Sequence, residues 1–390
     1  MVVFSARTQK TYVPDDIFEN YLETIDDVGN LVPCGWPSSL GDGIANNDSV
    51  LTSKISGIIN LFIPGPTIHP FVIGLQDLTG IEDFDSLQHL IIVDQPISSI
   101  NLNNSQLLFL TLNSNSVSLD SISFAGAPNL RKATVYGPSL SAVDLQNNAY
   151  LQELSLNNNA NIHSIDLSNN SDLLSLQMNA CALSTLDISN NSQLSNLSVN
   201  QNQLSSIQFP ISNNLVTIYC RDNLLSQIDV SNLDTLWKLD IGKNELNSLD
   251  LSACNNLGFL HCDSNQLTCL NIKNVHQNSA SPFQNYFRFL DARENPSLSC
   301  IEVDDPLYSS YVWGNSASGI YQTFLDPQHF YSVNCSNGCS TSALNELSSS
   351  TPVQLIKICD MLGRDAKPKS GNAYLYYYSD GSVTKKIYAE

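Results

Sequence analysis

Leu236-Trp237-Lys238-Leu239-Asp240-Ile241-Gly242-Lys243-Asn244-Glu245-Leu246-Asn247-Ser248-Leu249-Asp250-Leu251 decides the fold. Its apolar residues follow L-x-x-L-x-L-x-x-N, then a second L-x-x-L-x-L. The same frame starts at Leu87, Leu107, Leu130, Leu151, Leu173, Leu194, Leu215, Leu236, Leu257 and Phe287, in steps of 20 to 23 residues and one of 30. Ten units with six apolar slots each make sixty positions, and none holds a polar residue. Such repetition is what a packed solenoid needs, because each coil buries one stripe against its neighbours. Each half-unit has only 10 to 11 residues, which leaves little room for a helix. Both halves carry the strand pattern. The expectation is therefore a β-rich solenoid with two short parallel strands per coil and a thin, dry core.

The frame assigns residues 58–303 to this array, with an irregular first coil near Ile58, Leu61 and Ile63. Residues 12–57 form an N-terminal cap. There Asp15 or Asp16 can cap a helix on which Ile17, Phe18, Tyr21, Leu22 and Ile25 keep helical spacing. Residues 1–11 read as a disordered terminus or the residual tail of a signal peptide. The loop 41–48 is rich in Asp and Gly but lacks calcium-loop ligand spacing, so it reads as a turn. The long step holds an insertion, 274–286, which must bulge from its coil. After Val303 the frame stops. Residues 304–342 form an irregular aromatic C-terminal cap and linker containing Tyr308, Tyr311, Trp313, Tyr321, Phe324, Phe330 and Tyr331. Residues 343–390 read as a small β module, with strands at 353–358, 373–378 and 383–388 and an Asp380-Gly381 turn.

Net charge is −20, from 37 acidic and 17 basic residues, which argues against nucleic acid and anionic membrane surfaces. No apolar stretch reaches the roughly 20 residues of a membrane span. Seven units place Asn after the first strand: Asn115, Asn159, Asn202, Asn223, Asn244, Asn265 and Asn295. A buried Asn there can satisfy turn backbone groups between coils, so this ladder is structural. A second row is acidic: Asp144, Asp166, Asp187, Asp229 and Asp250, with Ser168, Ser189, Ser231 and Ser252 two residues later. Hydrogen bonding and solvent account for that row, with a calcium ion as the alternative. Cys220 and Cys262 fill strand slots as core thiols; at about 10 Å apart they are too far for a bridge. Cys181 and Cys254 occupy turn positions. Neither C-x-x-C nor paired His/Cys spacing appears, so no metal site and no cofactor are expected. Cys300 and Cys335 (or Cys339) bracket the end of the array; a bridge there would require an oxidising compartment.

These residues resemble a known group. The array is similar to secreted leucine-rich repeat proteins of the Bacteroidota. Tyr12-Val-Pro-Asp-Asp-Ile-Phe-Glu-Asn20 resembles that group's N-terminal cap, and Leu78-Thr-Gly-Ile-Glu-Asp-Phe84 its lead into the repeats. Ser299-Cys-Ile-Glu-Val-Asp-Asp-Pro306 resembles its C-terminal capping stretch, with Cys300 at the capping cysteine. The half-unit from Ile162 to Asn170 is typical, and the likeness covers about residues 10–335. The tail, Ile356-Lys-Ile-Cys-Asp-Met-Leu-Gly-Arg364 with Thr384-Lys-Lys-Ile387, resembles the C-terminal sorting domain of type IX secretion cargo. Tyr374-Leu-Tyr376 replaces that domain's usual Gly-x-Tyr strand. The resemblance implies a leucine-rich repeat array of about ten 21-residue coils, type IX export, and a place outside the cell or on its outer surface.

Outward positions of the first strand can be read from the frame. From Leu107 to Leu194 they are mostly small and polar: Thr111, Asn113, Ser155, Asn157, Gln177, Asn179, Ser198 and Asn200. From Leu215 onward they become Tyr219, Arg221, Trp237, Lys238, Asp240, Phe259, His261, Asp263, Phe289, Asp291 and Arg293. Aromatics mixed with arginine and both charge signs have the composition of interface hot spots. No G-x-S-x-G, H-E-x-x-H or P-loop occurs, and the six histidines do not recur in the frame, so no catalysis is expected. The expectation is a monomeric, non-enzymatic recognition or adhesion protein that binds a protein partner through these eleven residues. A glycan on the same aromatics, or a spacer without ligand, is the alternative.

Overall fold

The computed structural model describes residues 9–66, 72–97, 100, 102–113, 119, 121–137, 140–211, 214–275, 287–314, 322–335, 339, 355–360, 364, 367, 373–378 and 382–387. The chain divides into two compact units, Met1–Gln203 with Ile207–Pro210 and Leu204–Ser206 with Ile211–Glu390. The Asn115 position and the 276–286 part of the insertion lie outside the described residues.

The first unit begins with its cap. Helix Asp16–Glu23 is capped by Asp15, whose Oδ1 accepts from the N–H groups of Ile17 and Phe18. Its other oxygen accepts from Gln76 and Asp77 N–H, which ties the cap to the lead-in of the repeats. Phe18 and Leu22 are fully buried. The same helix buries two carboxylates, and the 41–48 loop wraps them: Glu23 accepts from Asp42 and Gly43 N–H, and Glu19 from Asn47 and Asp48 N–H. This loop turns amides inward toward anions, the opposite polarity to a calcium loop.

Seven strands then pair in parallel: Asn60–Ile63, His89–Val93, Phe109–Asn113, Lys132–Tyr136, Glu153–Ser155, Ser175–Gln177 and Asn196–Ser198. Leu61, Leu90, Leu110, Ala133, Leu154, Leu176 and Leu197 share one register row and are buried. The second half-unit is less regular. Ser121–Ser123 pairs with Ala142–Asp144, but residues 162–167 form no strand. Its middle apolar slots, Val143, Ile165 and Ile207, are only half-buried. Full repetition of the frame therefore does not produce a full second ladder.

In the second unit five strands pair in parallel: Thr217–Tyr219, Lys238–Asp240, Phe259–His261, Phe289–Asp291 and Gln322–Phe324. A second parallel row runs Ser248–Asp250, Cys269–Asn271, Cys300–Glu302 and Phe330–Ser332. The apolar frame ends at Val303, yet each row gains another strand, Gln322–Phe324 in the first and Phe330–Ser332 in the second. An open strand edge pairs with any extended segment, whatever its leucine spacing. The tail joins the same sheet: Ser382–Ile387 pairs antiparallel with Phe330–Ser332, followed by Ala373–Tyr378 and Leu355–Asp360. Cys300 bonds Cys335, and Cys339, the alternative partner, bonds Cys269. Closing loops of 35 and 70 residues stabilises by about 4 kcal/mol each in the chain-entropy model.

Among the described residues, seven turns after the first strand repeat one device. Asn158, Ala180, Gln201, Asp222, Lys243, Ser264 and Glu294 take left-handed backbone, with φ between 52° and 63°, and none is glycine. Each costs of order 1 kcal/mol. The next residue is the ladder position. Asn244 shows how the turn is held: its Nδ2 donates to the carbonyls of Cys220, Ile241 and Gly242, and its Oδ1 accepts from Leu225 N–H at 3.0 Å. Asn202 does the same in the first unit, on Met178, Val199, Asn200 and Leu183. Asn159, Asn223, Asn265 and Asn295 follow the pattern, each bonding carbonyls of its turn. Cys181 substitutes weakly, with Sγ 3.2 Å from Leu156 O. A second buried row, Asn104, Asn148, Asn170 and Asn191, holds carbonyls of preceding coils and was not anticipated from the frame. Leu233 and Cys254 take the equivalent place in the second unit.

Asn244→Ala would leave several buried backbone groups unpaired, each worth roughly 1–3 kcal/mol. We expect urea unfolding to show a loss of about 3 kcal/mol or more, with Asn244→Cys milder, as the Cys181 coil implies.

Candidate functional site

Strand alternation places the site. In the second unit Leu239, Leu260 and Leu290 point inward and are buried. Their neighbours therefore point outward in two aligned rows. One row is Thr217, Lys238, Phe259, Phe289, Gln322; the other is Tyr219, Asp240, His261, Asp291, Phe324. Neighbours in a row sit about 4.8 Å apart along the ladder. Trp237 precedes the first row, and Arg221, Asp263 and Arg293 follow the second. All eleven residues expected from the sequence lie along these strands and their flanking turns.

Aromatic contacts are continuous across the coils. Trp237 meets Phe259 edge-on at 5.5 Å, and Phe259 stacks on Phe289 at 6.5 Å. His261 stacks on Phe289 at 4.3 Å, and Phe289 tilts against Phe324 at 5.7 Å. Cations cover ring faces: Lys238 over Tyr219 at 4.8 Å, Arg288 over Trp237 at 5.7 Å, and Arg293 over Phe324 at 4.7 Å. Such pairs contribute about 0.5–1 kcal/mol at exposed sites.

Two glycines make this arrangement fit. Arg221 reaches past the coil of Gly242 to fork Asp263, with both N···O distances at 2.7 Å. A Cβ on Gly242 would sit 2.1 Å from Arg221 Nη1 and 2.7 Å from Asp263 Oδ1. A Cβ on Gly258 would sit 2.5 Å from the Trp237 ring. Glycine thus opens the lane through which Arg221 meets Asp263, and the lane in which Trp237 lies. Gly242, Gly258, Arg288 and Phe324 were absent from the sequence-based set. Arg288 and the glycines stand in register with Arg221, Trp237 and Asp263, so the frame held that signal. Phe324 lies beyond the frame and gave none.

The charges are largely settled. Burial opposes ionisation of Asp263, but the hydrogen bonds and charge of Arg221 outweigh it and hold the carboxyl below its usual range. Those same bonds push Arg221 upward. Arg293 forks Asp291 through Nε at 2.9 Å and Nη2 at 2.6 Å. Burial lowers the His261 pKa, against the pull of Asp240, Asp291 and Asp263. His261, Asp263 and Asp291 place ligand atoms within 4.8 Å of one another, the spacing of a metal cluster. Both carboxylates are already occupied by guanidinium forks, so the set fits a balanced ion network better than a cation site. Cys262 beside His261 is buried, and burial drives its thiol well above the ordinary range, which removes it as a nucleophile.

The acidic row has a local role. Each carboxylate accepts from the N–H two residues on: Asp144 from Gln146, Asp166 from Ser168, Asp187 from Ser189, Asp229 from Ser231 and Asp250 from Ser252, at 2.9 to 3.1 Å. Hydrogen bonds from Ser168, Ser189 and Ser231 lower the pKa of Asp166, Asp187 and Asp229. The polar rows of the first unit satisfy one another: Asn157 donates to Ser155 and Gln177, Asn179 to Asn157, and Ser198 to Asn179. That unit also holds a cleft of about 340 Å³ lined by Tyr21, Asp26, Asp27, Phe62, His89 and Ile91, which the repeat frame could not reveal.

No protein-family model and no curated protein matches the sequence. Among solved structures, the chain is similar to the functional domain of InlJ from Listeria monocytogenes, which includes a cysteine ladder. The TM-score is 0.56 at 15% identity, covering 97% of this chain and 98% of that one. An internalin, inlF, from the same species gives 0.48 at 15% identity over 84% and 94% of the two chains. A leucine-rich repeat protein of Leptospira interrogans gives 0.46 at 16% identity over 66% and 71%. The fold is a β-rich leucine-rich repeat solenoid; at such identities the likeness speaks to fold alone.

Gly242→Ala should cost about 1–3 kcal/mol through overpacking. It should also raise the Asp263 pKa toward the ordinary carboxylate value, because the fork is forced apart. Urea unfolding and carboxyl NMR titration read the two effects; an unshifted Asp263 would show that Gly242 does not hold the lane open.

Proposed function

We propose that this chain is a non-enzymatic recognition protein, displayed outside the cell, that binds a protein partner through the outward rows from Tyr219 to Arg293. The observation that carries the reading is the contrast in how polar groups are satisfied. The rows of the coils opening at Leu151, Leu173 and Leu194 close on themselves through Ser–Asn–Gln hydrogen bonds. The rows of the second unit instead present a continuous band of half-buried rings with cations on their faces. Large rings and arginines are the side chains that dominate interface energetics.

The glycan alternative is less favoured by the same geometry. A sugar stacks on an open ring face, and Lys238, Arg288, His261 and Arg293 already occupy one face of Tyr219, Trp237, Phe289 and Phe324. Two disulfides support an oxidising, extracellular setting.

Residues 343–390 are read as a type IX sorting module of a Bacteroidota-type protein. Support comes from the Asp360…Arg364 motif, which clasps itself: Arg364 Nε donates to Asp360 Oδ2 at 2.8 Å and Arg364 N–H to Oδ1 at 3.1 Å.

For the binding face, Tyr219→Ala with Trp237→Ala should weaken binding to a panel of purified extracellular proteins by several hundredfold, at about 2 kcal/mol per hot spot. Circular dichroism would confirm the fold, and unchanged affinity for every hit would sink the assignment. For the tail, mass spectrometry of the chain recovered outside the cell should find residues after about 343 removed or joined to an anchor. An intact, unmodified C-terminus would refute the sorting role.

A further inference from the structure

The recognition face carries four cations, and they are not equivalent. Arg221 is neutralised by Asp263 and Asp240, and Arg293 by Asp291. Lys238 and Arg288 form no ion pair with any described residue. This is unexpected on a chain of net charge −20, where acids outnumber bases by 37 to 17. The nearby carboxylates explain it. Asp263 and Asp291 are held in forks, and Asp240 is shared between Arg221 and the Gly242 N–H. None of these three carboxylates lies within ion-pair distance of Lys238 or Arg288.

Both cations are held by rings instead. Lys238 Nζ lies 4.8 Å from the centre of Tyr219 and 6.0 Å from that of Phe259. The Arg288 guanidinium lies 5.7 Å from Trp237. A ring face positions a cation without cancelling its charge or using its N–H donors. Side-chain entropy is thus already lost, and the hydrogen-bonding capacity remains open. Such a group suits a carboxylate arriving from outside, because charge-assisted hydrogen bonds are roughly twice as strong as neutral ones.

We propose that Lys238 and Arg288, on the bed formed by Tyr219, Trp237 and Phe259, dock an acidic segment of a partner protein. The inference rests on the recognition reading above and supplies its chemistry. The acidic remainder of the chain repels such a segment elsewhere, so the two cations also set where it lands. The neutralised pairs Arg221–Asp263 and Arg293–Asp291 fix the geometry of the bed and take no part in the attraction.

The test uses the full chain and three probes: fluorescein-labelled hexaglutamate, the matching hexaglutamine peptide and a sulfated hexasaccharide. Fluorescence anisotropy at low salt should show hexaglutamate binding at least tenfold tighter than hexaglutamine, with affinity falling as salt rises. K238E/R288E should lower hexaglutamate affinity at least tenfold, while K243E/K385E, with the same charge change off the bed, should leave it within twofold. Circular dichroism of all variants excludes unfolding. Equal binding of the two peptides, or equal effects of the two double variants, would overturn the proposal. Binding of the sulfated sugar without hexaglutamate would overturn it in favour of an anionic glycan. If Tyr219→Ala with Trp237→Ala abolishes binding of a protein partner and K238E/R288E does not, the acidic-segment inference fails and the recognition face stands.

Discussion

One side-chain amide holds the turn on which each coil depends. A parallel solenoid must reverse its chain after the first strand, and in seven described turns it does so through a left-handed residue that is not glycine. Asn158, Lys243, Ser264 and Glu294 all pay that steric cost. The following Asn offsets it, gripping carbonyls of its own turn and, at Asn202, Asn244, Asn265 and Asn295, a carbonyl of the preceding coil. Only a carboxamide offers two donors and an acceptor in so small a volume. Thiol substitution at Cys181 keeps a single weak bond to that coil, and the fold tolerates it once.

That grip has a consequence for function. Coils joined by turns of constant geometry stack residue on residue, so Lys238, Phe259 and Phe289 fall in one line, and Asp240, His261 and Asp291 in another. Rows of this kind are rigid before any partner arrives, which lowers the entropy cost of binding. They also let a side chain act two coils away when the coil between gives room, as Gly242 does for Arg221. The binding face is thus a product of the ladder, although no ladder residue belongs to it.

The ends follow a different rule. A stack of strands leaves unpaired backbone groups at each edge. In the second unit, Phe330–Ser332 and then the tail strands extend the second row, while two disulfides tie Cys269 and Cys300 to the segment after Phe330–Ser332. At the start of the first unit, the helix Asp16–Glu23 buries Phe18 and Leu22 and uses Glu19 and Glu23 as anchors for a loop of amides.

The spacing of leucines was enough to establish the solenoid and to place the eleven candidate residues along its strands and turns, two of them, Asp263 and Asp291, buried there, because a buried stripe repeats with the coil and leaves a periodic trace. A helix cap at Asp15 or Asp16 was legible for a similar local reason, and Asp15 takes it. Other features had no such trace. The extra coil formed by Gln322–Phe324 and Phe330–Ser332 rests on backbone pairing, which any extended segment can supply. The half-buried Ile165 and the missing strand around it show that an apolar slot is not always a covered one. Which cations on the face are neutralised was settled by reach: Arg221 finds Asp263 across a glycine, whereas Lys238 and Arg288 find rings. Periodicity is a one-dimensional property and the sequence contains it in full. Charge pairing depends on distance across coils, and only the folded chain sets those distances.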